Sequence, residues 1–492
     1  VGALDTREAA AVAAVPHRLL IGGRWREASG GEEVPVSDPA TGEELARVAD
    51  GTADDAVAAL DAAAAAGPAW AARRPRERAD LLRRAFEALM DRADDLALLM
   101  TLENGKPLPQ ARDEIAYAAE YLRWYSEEAV RVEGGYQLAP DGRRMLVMRQ
   151  PLGSALAVLP WNWPMVMAAR EVGPALAAGC TLVLKPAKEA PLCTLALADI
   201  LVRAGLPDGV VNVITSSSSA RVTEPLVADP RLRLLTFTGS TEVGRTLMAE
   251  AAQQLLRVSM ELGGNAPFIV FEDAHLEDAV EGAILAKVRN VGESCTAANR
   301  FLVAEPLVDE FAGRLAERMG AMRVGRGTDP GVDVGPLVDE EQRERVAELV
   351  EDAISRGARA LTGGRRGEGP GWFYEPTVLH PVPADARVLR EEIFGPVAPV
   401  VSFADEAEAV AAANATEYGL AAYVYTSDLD RALRVSEALE TGMVGLNQGV
   451  VSNPAAPFGG VKRSGFGRKG GRQGLEEYLE TKYLALAPTS GA

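Results

Sequence analysis

Short apolar runs alternate with stretches in which apolar residues recur every three or four positions, and this alternation fills the chain from Pro151 onward. SALAVLP, TLVLKP, VVNVI and LRLLTFTGS have the length and β-branched content of buried strands, and helical periodicity follows them over 164–178, 191–204, 220–228 and 242–254. Such repeats predict a doubly wound parallel sheet, because a crossover helix is what lets one parallel strand follow another. A second alternation begins at Leu255 with RVSMEL and FIVF. It continues through helices at 276–289, 308–322, 340–356, 406–414 and 429–440, with RFLVA, APVVSF, AAYVYT and MVGLN as strands. Two α/β units are therefore expected, joined near 255–265.

Ahead of them, residues 19–48 read as short strands and turns, and helices are predicted over 54–66, 76–91, 93–103 and 110–130. The extended segment 134–149 and the terminal strand YLALA each leave an unpaired edge, so a second copy of the chain is the expected cover. The predicted organisation is 1–130 with 150–256 as one unit, 257–465 as the second, and 131–149 with 466–492 as a small β arm of a homo-oligomer, dimer or tetramer. The alanine-rich run 9–15 stops at Pro16 and reads as a frayed leader. The glycine-rich basic segment 459–474 lacks a Gly-Lys-Ser/Thr ending and is expected to be a flexible loop.

Composition narrows the partners. A net charge of −19 argues against nucleic acid or an anionic membrane, so an anionic ligand must be met by local arginines. Three cysteines in 492 residues make no disulfide framework, which points to a reducing cytoplasm. His17, His275 and His380 have no ligand-like spacing, so no metal is expected. No stretch approaches the roughly 20 unbroken apolar residues of a membrane span.

Of the cysteines, Cys180 and Cys193 sit in apolar runs and read as core, whereas Cys295 lies among Gly292, Glu293, Ser294 and Thr296, a polar turn able to present a backbone amide beside the sulfur. A thiol needs a base or a lowered pKa to act as a nucleophile. The carboxylate candidate is Glu261, at the end of a predicted strand and followed by Gly263 and Gly264, at the junction of the two units.

PWNWP, GPALAAGCTLVLKPA, LTFTGSTEVG, MELGGNAPFIVF, GESCTAANR, EEIFGP and APFGGVKRSG occur in that order, and with them the chain resembles the aldehyde dehydrogenase superfamily over essentially its whole length. Within it, the 103–135 and 261–300 stretches and the GLEEYLETKYLAL tail are most similar to the succinate-semialdehyde dehydrogenase group. The resemblance implies a Rossmann-like cofactor domain, a second catalytic α/β domain and an oligomerisation arm. It implies that Cys295 attacks an aldehyde, that Asn162 with the Cys295 amide holds the alkoxide, and that Glu261 activates the water that hydrolyses the thioester. Trp161, Gly239 and Ser240 then meet the cofactor's phosphates, Lys185 its adenine ribose, and Glu392 and Phe394 its nicotinamide end. Lys188 stands where NAD-preferring relatives often carry glutamate, so NADP is expected in preference to NAD, with NAD possible. Arg170, Arg289 and Ser452 match positions that hold a distal carboxylate. The expected reaction is oxidation of succinate semialdehyde to succinate, the last step of 4-aminobutyrate degradation; glutarate semialdehyde, another ω-carboxylated aldehyde, or a catalytically silent binding member are the alternatives. Two departures stand out: four serines, 216–219, replace a glycine-containing segment and put dinucleotide affinity in question, and Ala297 excludes a disulfide with Cys295.

Overall fold

The computed structural model describes residues 4–487. The first unit is built on an eight-stranded sheet whose order is Gly465–Phe466, Arg257–Glu261, Leu232–Thr238, Ser154–Val158, Thr181–Lys185, Val211–Val213, Leu19–Ile21 and Arg24–Arg26. The five strands from Arg257–Glu261 to Val211–Val213 are parallel, and the edge strands are antiparallel. Parallel strands are covered on both faces, which is why their sequences are apolar without alternation. In Thr181–Lys185, Leu182 and Leu184 enter a core shared with the helix Pro164–Ala178, and Val183 enters another with Ala56, Ala59 and Leu60 of the helix Ala53–Ala71.

The second unit is a seven-stranded sheet, ordered Ala360–Thr362, Thr377–Leu379, Val397–Phe403, Ala298–Ala304, Ala266–Val270, Ala421–Tyr425 and Met443–Leu446. Phe268, Phe301 and Phe311 are fully buried at its centre. The predicted α/β class and its two alternations are thus present.

Four expectations fail in detail. Arg257–Glu261 belongs to the first sheet, paired with Leu232–Thr238, so the chain crosses to the second unit after Glu261 and not before Arg257. Periodicity shows a strand but not its neighbour, and this one lies at the seam. The run 9–15 is no frayed leader: the helix Thr6–Ala13 has a capping box made by Asp5 and Glu8, and Glu8 also pairs with Arg326 of the second unit at 3.0 Å. The 459–474 segment is not a flexible loop, since Lys469 is 2% exposed and paired with Glu171 at 2.6 Å. Finally, among the described residues of 466–492 only Leu479–Leu486 joins the arm, as the edge strand of a three-stranded sheet with Arg144–Pro151 and Gly135–Leu138; Gly465–Phe466 and the helix Gly471–Glu476 pack on the first unit. Residues 1–3 and 488–492 of the expected segments lie outside the described residues. Among those described, no helix is long and apolar enough to cross a membrane.

Candidate active site

In an open parallel sheet, side chains at the carboxyl ends of adjacent strands converge on a crevice. Here Ser154–Val158 leads to Trp161 and Asn162, Leu232–Thr238 to Gly239 and Ser240, and Arg257–Glu261 ends on Glu261 itself, paired in register with Thr238. The second unit meets these strand ends with the Cys295 loop and with Glu392 and Phe394. All eight of these candidates line one cavity of about 240 Å³.

The nucleophile loop is held under strain. After the helix Leu276–Val288, Asn290, Val291 and Gly292 follow one another at φ values of 54°, 52° and 80°. A β-branched valine in the left-handed region costs of order 1–3 kcal/mol and persists only where the surroundings fix it. The fixing groups are visible. Asn290 Nδ2 donates to the carbonyls of Asn162 and Glu293, both at 2.9 Å, and Asn290 N donates to Gln110 Oε1 at 2.8 Å. A Cβ on Gly264 would stand 2.5 Å from the Cys295 carbonyl, so the glycine lets the loop lie against the strand end.

Cys295 is half-buried, and its thiol is pushed up to about 12 by desolvation, then by the Glu261 carboxylate, with Arg170 opposing. In this state the sulfur is a thiol near neutral pH. Glu261 is 3% exposed and held above the usual carboxylate range by burial, partly offset by Arg170 and Lys469. Its Oε2 accepts from Arg170 Nη1 at 3.2 Å. Asn162 donates through Nδ2 to the Glu293 carbonyl at 3.1 Å, and an amide nitrogen has a second hydrogen to give.

Glu293 is not part of an exposed polar turn as its sequence context suggests: it is fully buried, and its carboxyl accepts from Val338 N at 3.0 Å.

Beneath the site lies a scaffold that sequence reading missed. Glu114 accepts from the amides of Met165 and Val166 at 3.1 and 3.3 Å, capping the helix Pro164–Ala178. It also pairs with the buried Lys106, whose Nζ donates to the Asn162 carbonyl at 3.1 Å. One buried ion pair thereby sets the turn that carries Asn162. The only sequence signal was a lysine in the break between two predicted helices and a glutamate eight positions on, which says nothing about burial.

On the cofactor side, Ser240 caps the helix Thr241–Ala252, accepting from Val243 N at 3.4 Å, so the helix amides open beside the cavity. Glu392 Oε1 accepts from Gly264 N at 3.0 Å, and burial pushes its carboxyl up to about 7. Trp161 and Phe394 meet edge to face at 5.5 Å. A helix N-terminus, a carboxylate and two aromatic rings around a crevice at strand ends fit a dinucleotide.

Lys185 and Lys188 do not line the cavity. Lys185 is 4% exposed at the end of its strand, its ammonium pushed down to about 8 by burial, whereas Lys188 has a 58% exposed side chain and only a 3.9 Å ion pair with Glu189. Three of the serines 216–219 are committed elsewhere: Ser216 and Ser217 hydrogen-bond Asp50, which also pairs with Arg221, and Ser218 caps the helix Ser219–Val227.

Arg289 and Ser452 line a second cavity, of about 250 Å³, with Asp113, Glu114, Tyr117 and Trp163. The two cavities flank one turn, Trp161 and Asn162 facing the first and Trp163 the second. Arg289 stacks over the Trp163 ring at 4.7 Å. Among the described residues it has no ion-pair partner. Arg170, expected alongside it, lines neither cavity; it is 3% exposed, engaged with Glu261 and flanked by the rings of Phe458 and Tyr121 at 4.3 and 5.5 Å.

The model of the aldehyde dehydrogenase family matches residues 25–484. The chain belongs to that family. A succinate-semialdehyde dehydrogenase of Paenarthrobacter nicotinovorans is 56% identical over 444 residues, which is 90% of this chain and 99% of that protein. A glutarate-semialdehyde dehydrogenase of Pseudomonas aeruginosa is 50% identical over 473 residues, 95% of this chain and 97% of that one. The crystal structure of an NADP dependent enzyme from E. coli superposes with a TM-score of 0.95 at 49% identity, covering 96% of this chain and 98% of the other. The family's two-sheet architecture is the one described above.

Proposed function

We propose that this member oxidises succinate semialdehyde to succinate and takes NADP in preference to NAD. The observation that carries the substrate class is Arg289, a guanidinium without an ion-pair partner among the described residues, facing a small cavity with the Ser452 hydroxyl, six positions before Cys295. A guanidinium left unpaired beside a cavity is a site for a carboxylate. Glutarate semialdehyde is the second reading, supported by the 50% identical relative that is named for it. A silent binding member is disfavoured, because Cys295, Glu261 and Asn162 all meet in one cavity.

In this reading the Cys295 thiol gives up its proton to solvent water as its sulfur bonds to the aldehyde carbon, and the resulting alkoxide accepts hydrogen bonds from Asn162 Nδ2 and the Cys295 amide. A bound dinucleotide supplies the acceptor for the hydride that leaves that carbon. Glu261 takes a proton from the water whose oxygen then adds to the thioester carbon; the carbon–sulfur bond breaks, and the acid and the thiol are released. Substrate enters past Trp163 and the cofactor lies past Trp161, so the Asn162 turn divides the two.

Lys188 supports the NADP preference: its ammonium is largely exposed and only loosely held, close to the buried Lys185, as a 2′-phosphate requires. The exposed Tyr136, Leu138, Tyr483 and Leu484 of the β arm support a homo-oligomer, and three free thiols support a cytoplasmic location. Steady-state kinetics on semialdehydes of increasing length and on uncharged aldehydes, each with NAD and NADP, tests the whole proposal. A preference for NAD sinks the cofactor assignment, and equal kcat/KM for charged and uncharged aldehydes sinks the substrate class.

A further inference from the structure

Among the described residues the Glu261 carboxylate has one hydrogen-bond partner, and it is a cation. Its Oε2 meets Arg170 Nη1 at 3.2 Å with both side chains 4% exposed, while Glu261 Oε1 and Arg170 Nε have no partner at all. A carboxylate bound to a guanidinium is a weaker acceptor for a water proton than the same buried carboxylate set free. The two groups differ in freedom. Arg170 is fixed within the helix Pro164–Ala178 and flanked by Phe458 and Tyr121. Glu261 ends its strand and is followed by Leu262 and two glycines.

Arg170 also stands between the cavities. Tyr121, under its guanidinium, hydrogen-bonds at 3.0 Å to the hydroxyl of Tyr117, which lines the Arg289 cavity, whereas Glu261 lines the Cys295 cavity. A buried guanidinium stripped of its carboxylate is strongly unfavourable, but exchanging one carboxylate for another leaves it paired throughout. Glu261 is therefore freed most easily when another anion arrives.

We propose that Arg170 is a positioning residue that holds Glu261 away from its water until the distal carboxylate of a bound substrate, shared with Arg289, takes over the guanidinium, so that the substrate's own charge releases the base. This rests on the carboxylated-substrate reading above. It adds a consequence that reading lacks: an uncharged aldehyde is turned over slowly because its thioester waits for a base that is still engaged, and not only because it binds weakly.

Propanal and formate together supply the two ends of succinate semialdehyde, and they test the hold on the wild-type enzyme without a mutation. Saturating formate is expected to raise kcat for propanal about tenfold, the size of a population shift that one charge-assisted contact sustains. Chloride at equal ionic strength is expected to leave it unchanged. With succinate semialdehyde as substrate, formate is expected to raise KM alone. In Arg170→Gln, propanal kcat is expected to start above the wild-type value and no longer respond to formate, a pattern that a merely structural arginine does not produce. A wild-type propanal kcat that formate leaves unchanged or lowers overturns the proposal, as does formate activation that survives in Arg170→Gln. Equal kcat/KM for semialdehyde and propanal would instead sink the substrate reading; the formate response is measured on propanal alone and reports on the hold at Glu261 by itself.

Discussion

Replacing Arg289 by leucine removes the guanidinium while keeping an apolar side chain against Trp163, so the loss it causes measures what the charge does. A guanidinium–carboxylate pair with two parallel hydrogen bonds is worth about 3–5 kcal/mol at about 1.5–3 per charge-assisted bond, less than the simple sum. Arg289 is half-buried beside an open cavity, and solvent screening reduces this to about 2–3 kcal/mol. The expected fall in kcat/KM for succinate semialdehyde is therefore roughly 30- to 150-fold. The stacking contact at 4.7 Å over Trp163 is a further small loss of about 0.5–1 kcal/mol, which leucine partly replaces and which applies to any substrate. Butanal, of the same carbon count and without the carboxylate, is expected to lose no more than about threefold, the equivalent of that packing term. The assay is initial-rate reduction of NADP at 340 nm with both aldehydes, alongside the melting temperature of the variant. Losses of equal size for the two aldehydes, in a variant that melts like the parent, would refute Arg289 as the carboxylate site.

Other expectations follow from the same geometry. Because burial pushes the Cys295 thiol up to about 12, its thiolate is scarce at neutral pH and grows with pH, so iodoacetamide inactivation of the cofactor-free enzyme should accelerate about tenfold per pH unit between pH 7 and 9; a plateau in that interval contradicts the burial that raises it. Lys106→Met leaves Glu114 buried without its cation and should cost about 3–5 kcal/mol, seen as a lower urea midpoint with loss of activity; an unchanged midpoint would remove the scaffold role given to this pair. Gly264→Ala places a Cβ 2.5 Å from the Cys295 carbonyl and should lower kcat much more than it raises KM for the cofactor; parental kinetics would show that the loop has room. Lys188→Glu should move the kcat/KM ratio of NADP to NAD toward NAD by about tenfold or more, and an unchanged ratio would take Lys188 out of cofactor choice.

Much of the fold was legible because buried parallel strands and crossover helices leave strong periodic signals. What periodicity does not carry is adjacency: RVSMEL reads equally well in either unit, and only the hydrogen bonds to Leu232–Thr238 place Glu261 among the strand ends of the first sheet. Cys295 and Glu261 could be singled out since each stands in a distinctive local context, a polar turn and a strand end before two glycines, whereas Asn162 was legible only through the family resemblance that PWNWP helps carry. Glu293, Lys106 and Glu114 could not be singled out, because charged residues are read as exposed unless a buried partner is known: Val338 lies 45 positions from Glu293, and the short spacing of Lys106 and Glu114 does not show that the pair is buried. The Asp5–Glu8 capping box, by contrast, was a readable signal that the alanine content of the following run obscured. Lys469 is the converse case of Glu293: glycines around it suggest mobility, yet its buried pair with Glu171 pins the segment.

The central claim is that Cys295 carries the acyl group and Glu261 removes it. Incubating Glu261→Gln with succinate semialdehyde and NADP, quenching in acid and weighing the peptide that contains Cys295 tests this directly. The account predicts one equivalent of NADPH and a peptide heavier by one succinyl group. An unmodified Cys295 peptide together with continuous NADPH formation would contradict it.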